Sequence, residues 1–131
     1  MAKHNEIGKN GEGIASKWLV SRKFIILERN YLKKHGEIDI VARETDKIHF
    51  IEVKSVSYET KSYLEYAISH ETWRPEENVH HSKIRRFKNT IETWLIENDY
   101  RGEWQIDILT VRLVPDEKFA QVNMIENVVF E

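Results

Sequence analysis

The chain contains no cysteine, and this absence removes whole classes of chemistry. Disulfides, thiol catalysis and zinc-thiolate sites are excluded, and a cysteine-free composition fits a cytoplasmic protein. The sequence also has no apolar run long enough to span a membrane and no signal-peptide pattern at Met1. We therefore expect a cytoplasmic protein that makes no membrane contact.

An overall basic charge is absent as well. The formal net charge is −2 at pH 7 and the pI is about 6.3, so any contact with nucleic acid must be local. No repeat or low-complexity linker interrupts the 131 residues, and this length suits one hydrophobic core. We predict a single domain over residues 1–131.

Two apolar-rich segments, 36–43 and 48–54, carry acidic residues where a strand normally places Val or Ile. If Thr45 and Asp46 form a two-residue turn, Asp39 lies directly opposite Glu52. Like charges at opposed positions destabilise a sheet, so a compensating group is expected. A turn one residue longer would remove this pairing.

Converging carboxylates are ligands that Mg²⁺ and Mn²⁺ prefer, and Asp39 and Glu52 would supply part of such a site. Lys54, on the same face as Glu52, would orient a water or stabilise negative charge on a phosphate. The open alternative is a hairpin with one wet face, on which Glu52 and Lys54 are solvated partners. Val41 and Phe50 share that face and favour the metal site, because unpaired charge beside a buried surface is costly.

Two helices are predicted, over residues 5–22 and from residue 78 or 82 to residue 98. Glu12 lies above the inward face of the first helix, where its carboxylate can reach the sheet and complete a metal site. The alternative is a first-turn acid that interacts with the helix dipole. The second helix has a clean apolar stripe, formed by Ile84, Phe87, Ile91, Trp94 and Leu95.

Basic residues cluster at the start of this second helix, including His80, His81, Lys83 and Arg86. Positive charge at a helix N-terminus is unfavourable with the helix dipole, so these residues are not expected to stabilise the helix. Phosphate binding is the simplest function that would account for them. A solvated basic face is the alternative. Zinc binding by the adjacent histidines has only weak support, because no third ligand is near in sequence.

The other segments carry less chemistry. A strand is predicted over residues 24–32, and an irregular stretch over 55–78 has aromatics that either stack on bases or pin the loop to the protein. Strands follow at 103–114 and 121–130. Asp107 interrupts an apolar face and is expected to hold Lys83 or Arg86 in place. The apolar end of the last strand, 128–130, could pair with a second copy and form a homodimer.

The combination of motifs resembles the YraN family of predicted endonuclease-like proteins, which is similar to archaeal Holliday-junction resolvases. The spacing of Asp39 and Glu52-Val53-Lys54 looks like the PD-(D/E)xK nuclease signature. The resemblance implies a restriction-endonuclease-like α/β fold, a mixed central sheet flanked by two helices in the order α-β-β-β-α-β-β. The other motifs that carry the resemblance are a glycine- and glutamate-containing first helix, Arg29-Asn30, Gly36-Glu37-Ile38-Asp39, a Lys-x-x-Arg helix and a later Ile-Asp strand.

For function, the resemblance implies a Mg²⁺- or Mn²⁺-dependent phosphodiesterase acting on DNA, on branched or single-stranded forms. Asp39, Glu52, Lys54 and Glu12 would form the catalytic set, with Glu37 as an auxiliary metal ligand. Nucleic acid would be bound by Lys83, Arg86, His80, His81 and Arg29. Two alternatives stay open: a non-catalytic nucleic-acid-binding or partner-binding protein that keeps the fold, and an RNA-processing enzyme.

Overall fold

The computed structural model describes residues 2–70 and 81–129, without the side chains of residues 2–5 and 81. Within these ranges, three helices pack around one five-stranded mixed sheet, the predicted α/β fold, and the architecture is consistent with a nuclease-like fold. The order differs from the predicted one by an additional short helix, α2. The elements are α1 (Ala2–Ser21), β1 (Ile25–Lys33), β2 (Gly36–Glu44), β3 (Lys47–Ser57), α2 (Lys61–His70), α3 (His81–Glu97), β4 (Trp104–Val114), a 3₁₀ helix (Pro115–Glu117) and β5 (Phe119–Ile125).

The strands lie in the sheet in their sequence order, β1-β2-β3-β4-β5. Neighbouring strands are antiparallel except β3 and β4, which are parallel. Parallel neighbours require a crossover connection, and here the chain between β3 and β4 includes α2 and α3. The acidic segment of β3 therefore lies in the middle of the sheet, between β2 and β4.

Two hydrophobic clusters bury the two faces of the sheet. On one face α1 packs through Ala15 and Leu19, and on the other α3 packs through Phe87, Ile91 and Trp94. The predicted apolar stripe of α3 is confirmed, because these three residues are buried and the remaining two are half-buried. The sheet contributes Ile40, Ala42, Ile51, Leu109 and Val111 to the α1 side, and Val41, Ile48, Phe50 and Ile106 to the α3 side.

The stretch 55–78, predicted to be irregular, is more regular than expected in its described part. β3 continues to Ser57 and α2 follows, anchored by the buried Leu64. Its periodicity is weak because Leu64 is the one buried residue of this helix, and Tyr63 and Tyr66 are exposed. The rest of the predicted stretch, 71–78, lies outside the described residues.

The last strand was predicted too late in the sequence. β5 begins at Phe119 and ends at Ile125, so Val128 and Val129 do not belong to it. The backbone N–H of Val128 instead donates a hydrogen bond to the carbonyl of Ile106 at 2.7 Å. Val128 and Val129 therefore do not form the edge strand that was predicted to pair with a second copy.

None of the helices in the described ranges combines the length and apolar character needed to cross a bilayer.

Candidate functional site

The β2–β3 hairpin has the predicted register. Thr45 and Asp46 form the turn, and the registered pairs run from Glu44 opposite Lys47 to Ile40 opposite Ile51. Asp39 and Glu52 follow directly after the last of these pairs on adjacent strands. There the Asp39 carboxylate accepts a hydrogen bond from the backbone N–H of Val53 at 2.8 Å.

The pairing of β1 with β2 is irregular where Asn30 lies next to Asp39. Asn30 and Asp39 form no registered pair, although both are described and pairs flank them on each side. Asn30 has a left-handed φ of 53°, which asparagine tolerates better than most residues. Strand alternation would place Ile38 and Ile40 on one face of β2, but it is lost here, because Ile40 packs on the α1 side and Ile38 packs in the α3 cluster.

Asn30 joins two of the acidic residues. With its amide oriented to satisfy its neighbours, its nitrogen donates to Glu12 Oε1 at 2.7 Å and to Glu37 Oε1 at 3.0 Å. One side chain thus holds a carboxylate of α1 next to a carboxylate of β2. The sequence marks Arg29-Asn30 as a motif of the resemblance but does not indicate this geometry. The tolerance of asparagine for left-handed backbone was the signal available.

A close helix–sheet contact brings Glu12 to this site. A Cβ atom on Gly11 would lie 1.8 Å from Ser55 Oγ on β3, so only glycine lets α1 approach the sheet so closely. Glu12, the next residue, lies in the middle of α1, which begins at Ala2. The first-turn alternative for Glu12 is therefore wrong, since the helix dipole acts within the first turn.

Burial and neighbouring negative charge raise the pKa values of Asp39 and Glu12. The pKa of Asp39 is raised to about 7, first by burial and then by the negative charges of Glu52, Glu12 and Glu37, against the lowering effect of the Val53 hydrogen bond. Burial and the charge of Glu37 likewise raise the pKa of Glu12, although Arg29 and Asn30 oppose the rise. Burial and mutual repulsion therefore disfavour the charged form of Asp39 and Glu12, and a proton or a cation would stabilise them.

Two lysines neutralise Glu52. Lys83 Nζ from α3 lies 3.1 Å from Glu52 Oε1, and Lys54 Nζ lies 3.6 Å from the same atom. The side chains of Glu52 and Lys54 are 17% and 20% exposed, so neither is the freely solvated residue of the wet-face alternative. Burial lowers the pKa of Lys54, helped by the charge of Lys83 and opposed by Glu52. For Lys83, burial alone would lower the pKa, but Glu52 raises it overall.

A cleft of about 500 Å³ opens between α3, the first half of β2 and the middle of β3. Asp39, Glu52 and Glu37 line it from the sheet, and Lys83 and Arg86 line it from the helix. The structure therefore brings the predicted acids and two of the predicted phosphate-binding residues to one place. Arg29 acts on this group through its positive charge, which lowers the pKa of Glu12. His80 and the side chain of His81 lie outside the described residues.

The donor chemistry fits a hard divalent cation, because carboxylate oxygens are its preferred protein ligands. The geometry is less complete. In the part of the chain that the structure describes, no three His, Asp or Glu side chains form a group that could hold a metal ion. Asp39 and Glu52 are the pair on adjacent strands that would hold one, with Glu12 and Glu37 already bridged by Asn30.

Comparison with known families decides the wider identity. The model of the uncharacterised protein family UPF0102 matches residues 11–111. This chain belongs to that family. The match confirms the predicted YraN-type family.

Other UPF0102 proteins resemble the chain over most of its length. A UPF0102 protein of Campylobacter fetus is 38% identical over 94% of this chain and 93% of its own. One from Dictyoglomus turgidum is 38% identical over 86% of each chain, and one from Thermotoga maritima is 36% identical over 82% of this chain and 86% of its own. The family description assigns no activity or substrate.

Asp107, which matches an aspartate of the family's pattern, does not hold Lys83 or Arg86, and that prediction was wrong. The side chain is fully buried and accepts hydrogen bonds from His49 Nδ1 at 2.6 Å, Gln105 Nε2 at 2.7 Å and the backbone N–H of Asn127 at 2.9 Å. In this UPF0102 protein Asp107 therefore ties β3, β4 and the segment after β5 together. His49, a polar residue in the middle of an apolar strand, was the unused sequence signal.

Proposed function

We propose that this protein is a Mg²⁺- or Mn²⁺-dependent phosphodiesterase that cuts DNA, with branched or single-stranded forms as substrates. The observation that carries the proposal is the meeting of Asp39 and Glu52 at one cleft, with Lys54 Nζ 3.6 Å from the Glu52 carboxylate. Paired carboxylates are ligands for a hard divalent cation, and such a cation can assist displacement at phosphorus. Residues that face a cleft and have perturbed pKa values are also favoured candidates for catalysis.

Asp39 and Glu52 would hold the cation, with Glu12 and Glu37 as auxiliary carboxylates. A bound divalent cation would polarise the phosphodiester and make a coordinated water more acidic. The raised pKa of Asp39 supports this assignment, because a cation would replace the proton that the buried carboxylate otherwise retains.

Lys54 would act on the water or on the developing phosphate charge. Its side chain is mostly buried and its pKa is lowered, so it gives up its proton more readily than an exposed lysine. When protonated, the ammonium group would stabilise the negative charge that builds up on the phosphate oxygens.

Lys83 and Arg86 would hold the nucleic-acid backbone from α3. Lys83 is already paired with Glu52 at 3.1 Å, so phosphate binding by Lys83 requires exchange of this partner. A cation on Glu52 would release the lysine for that purpose. Arg86 is exposed at the cleft, and its guanidinium group suits bidentate contact with phosphate.

A second candidate function is a nucleic-acid-binding or partner-binding protein without catalysis. One observation favours it: Lys54 and Lys83 both lie within ion-pair distance of Glu52, so lysine charge already neutralises the carboxylate that would hold a cation. A fold that retains such ion pairs keeps a charged cleft that can bind without cutting.

The experiment is a cleavage assay on labelled duplex, single-stranded, flap and four-way-junction DNA and on RNA, with Mg²⁺, Mn²⁺ or EDTA. Asp39→Asn and Lys54→Met are the test variants, because each keeps the size of the side chain. Asp46→Asn, at the exposed hairpin turn, is the matched control for the first.

Cleavage by the wild type and Asp46→Asn that is lost in both test variants and in EDTA would establish the enzyme and name its substrate. If the wild type cuts no substrate, or if both test variants cut as well as it does, the catalytic proposal fails. Retained binding of nucleic acid without any cleavage would favour the second candidate.

A further inference from the structure

A second groove lies between α1 and the segment that joins β4 to β5. Its volume is about 820 Å³, within the roughly 300–1,000 Å³ typical of ligand clefts. It shares no lining residue with the acidic cleft. The proposed function does not use it.

The charged residues that line this groove are all positive. They are Lys9, Lys17, Arg29 and Lys118, and all four are exposed. The whole chain has 22 acidic and 20 basic residues, so the groove is a local exception to a slightly acidic protein. The three lysines form no side-chain ion pair with any described residue. Such a rim attracts an anion that reaches along the groove.

Apolar residues form the floor beneath these charges. Ile7, Ile14 and Phe119 are half-buried there, and Leu113 is buried. These apolar side chains are less accessible than the exposed basic side chains that line the same groove. Apolar surface flanked by positive charge suits a narrow chain that has both apolar and anionic parts.

We propose that this groove binds single-stranded nucleic acid, with phosphates on the basic rim and bases against the apolar floor. An unpaired strand exposes base faces next to its phosphates, which is the combination of groups that the groove presents. A duplex keeps its base faces stacked inside and offers mainly phosphates, so the apolar floor would gain nothing from it.

The position of Arg29 connects the groove with the acidic cleft. Arg29 lines the groove, and its charge acts on Glu12, which Asn30 holds beside Glu37. A strand in the groove would therefore lead toward the carboxylates. This last step, that the groove delivers substrate, depends on the proposed phosphodiesterase function, whereas binding itself does not.

The test is fluorescence anisotropy with labelled oligothymidylate, oligouridylate, a DNA duplex of equal length and an acidic peptide, all in EDTA so that no metal-dependent cleavage occurs. The test variant is Lys9→Glu with Lys17→Glu, and the milder Lys9→Gln with Lys17→Gln guards against a folding defect. The control is Lys23→Glu with Arg101→Glu, which makes the same charge change. Those residues follow α1 and precede β4, far along the strands from Pro115 at the groove.

We expect the wild type to bind the single strands more tightly than the duplex. Comparison of oligothymidylate with oligouridylate shows whether DNA or RNA is preferred. Both groove variants should lose about tenfold or more in affinity and show a smaller salt dependence, since each single-strand phosphate contact contributes roughly 0.7 to the logarithmic slope. The control should change little. Unchanged affinity in both groove variants, tighter binding of the duplex, or binding of the acidic peptide alone would overturn the proposal.

The same measurements separate this proposal from the catalytic one. Asp39→Asn should bind oligothymidylate as the wild type does even if it cuts nothing. Binding without cleavage by the wild type would leave the groove proposal standing and remove the phosphodiesterase. Cleavage that persists while both groove variants bind normally would do the reverse.

Discussion

The carboxylate of Asp39 lies 2.8 Å from the backbone nitrogen of Val53 and accepts its hydrogen bond, directly after the last registered pair of β2 and β3. The same carboxylate is buried among three other acidic residues. The aspartate thus forms part of the hydrogen bonding between the two strands while carrying a charge that burial disfavours. Stability and the proposed function are therefore linked at this residue.

The first prediction concerns the pH dependence of stability in EDTA. The pKa of Asp39 rises from 3.8 to about 7 on folding, so the folded protein keeps a proton that the unfolded chain releases. The free energy of unfolding should then fall as pH rises from about 4 to about 7, by an amount on the order of 2–4 kcal/mol from this group. Urea unfolding across this pH range measures it.

Asp39→Asn should abolish this fall in the free energy of unfolding with rising pH, because the amide oxygen carries no charge and can still accept the Val53 hydrogen bond. The variant should be more stable than the wild type at pH 8 and similar to it at pH 4. Asp46→Asn, which changes an exposed aspartate, should follow the wild type. If Asp39→Asn shows the same fall with pH as the wild type, Asp39 does not carry the raised pKa.

The second prediction concerns cation binding measured without catalysis. At pH 8, Mg²⁺ or Mn²⁺ should raise the melting temperature of the wild type by several degrees, since a ligand at a hundredfold its Kd stabilises by about 2.7 kcal/mol. Asp39→Asn and Glu52→Gln should lose this response, and Asp46→Asn should retain it. An equal rise in all four proteins would indicate only weak, unspecific cation binding.

The third prediction concerns Asn30. Asn30→Ala loses the hydrogen bonds to Glu12 and Glu37 and also the tolerance for a φ of 53°. Asn30→Gly loses the same bonds but adopts this φ freely. We expect the alanine variant to be less stable than the glycine variant by about 1 kcal/mol, measured by urea unfolding. Equal stability of the two variants would show that the left-handed backbone costs nothing here.

The hairpin and the α3 stripe were predictable because local rules govern them. A two-residue turn at Thr45 and Asp46 sets the register of every pair that follows, and apolar residues three and four apart place one face of α3 on the sheet. Counting residues outward from this turn then places Asp39 and Glu52 at neighbouring positions on adjacent strands. This is why the candidate acid pair could be placed on β2 and β3 from the sequence alone.

The departures from prediction involve contacts between distant parts of the chain. Strict alternation assigned Ile38 and Ile40 to one face, and the irregularity at Asn30 breaks that rule. Asp107 meets His49 from another strand, a partner that no local pattern indicates. Such contacts depend on which strands become neighbours, and sequence spacing does not give that information.

The last prediction tests how Glu12 reaches the site. In Gly11→Ala the new Cβ would lie 1.8 Å from Ser55 Oγ and 2.9 Å from Ser55 Cβ, so α1 must move away from β3. Such overpacking typically costs about 1–3 kcal/mol, which exceeds the roughly 1 kcal/mol that alanine gains over glycine in a helix. Gly8→Ala is the matched control, because its Cβ meets nothing within 4 Å, and it should stabilise the protein. If Gly11→Ala is as stable as Gly8→Ala, the close approach of α1 does not hold Glu12 at the carboxylate cluster.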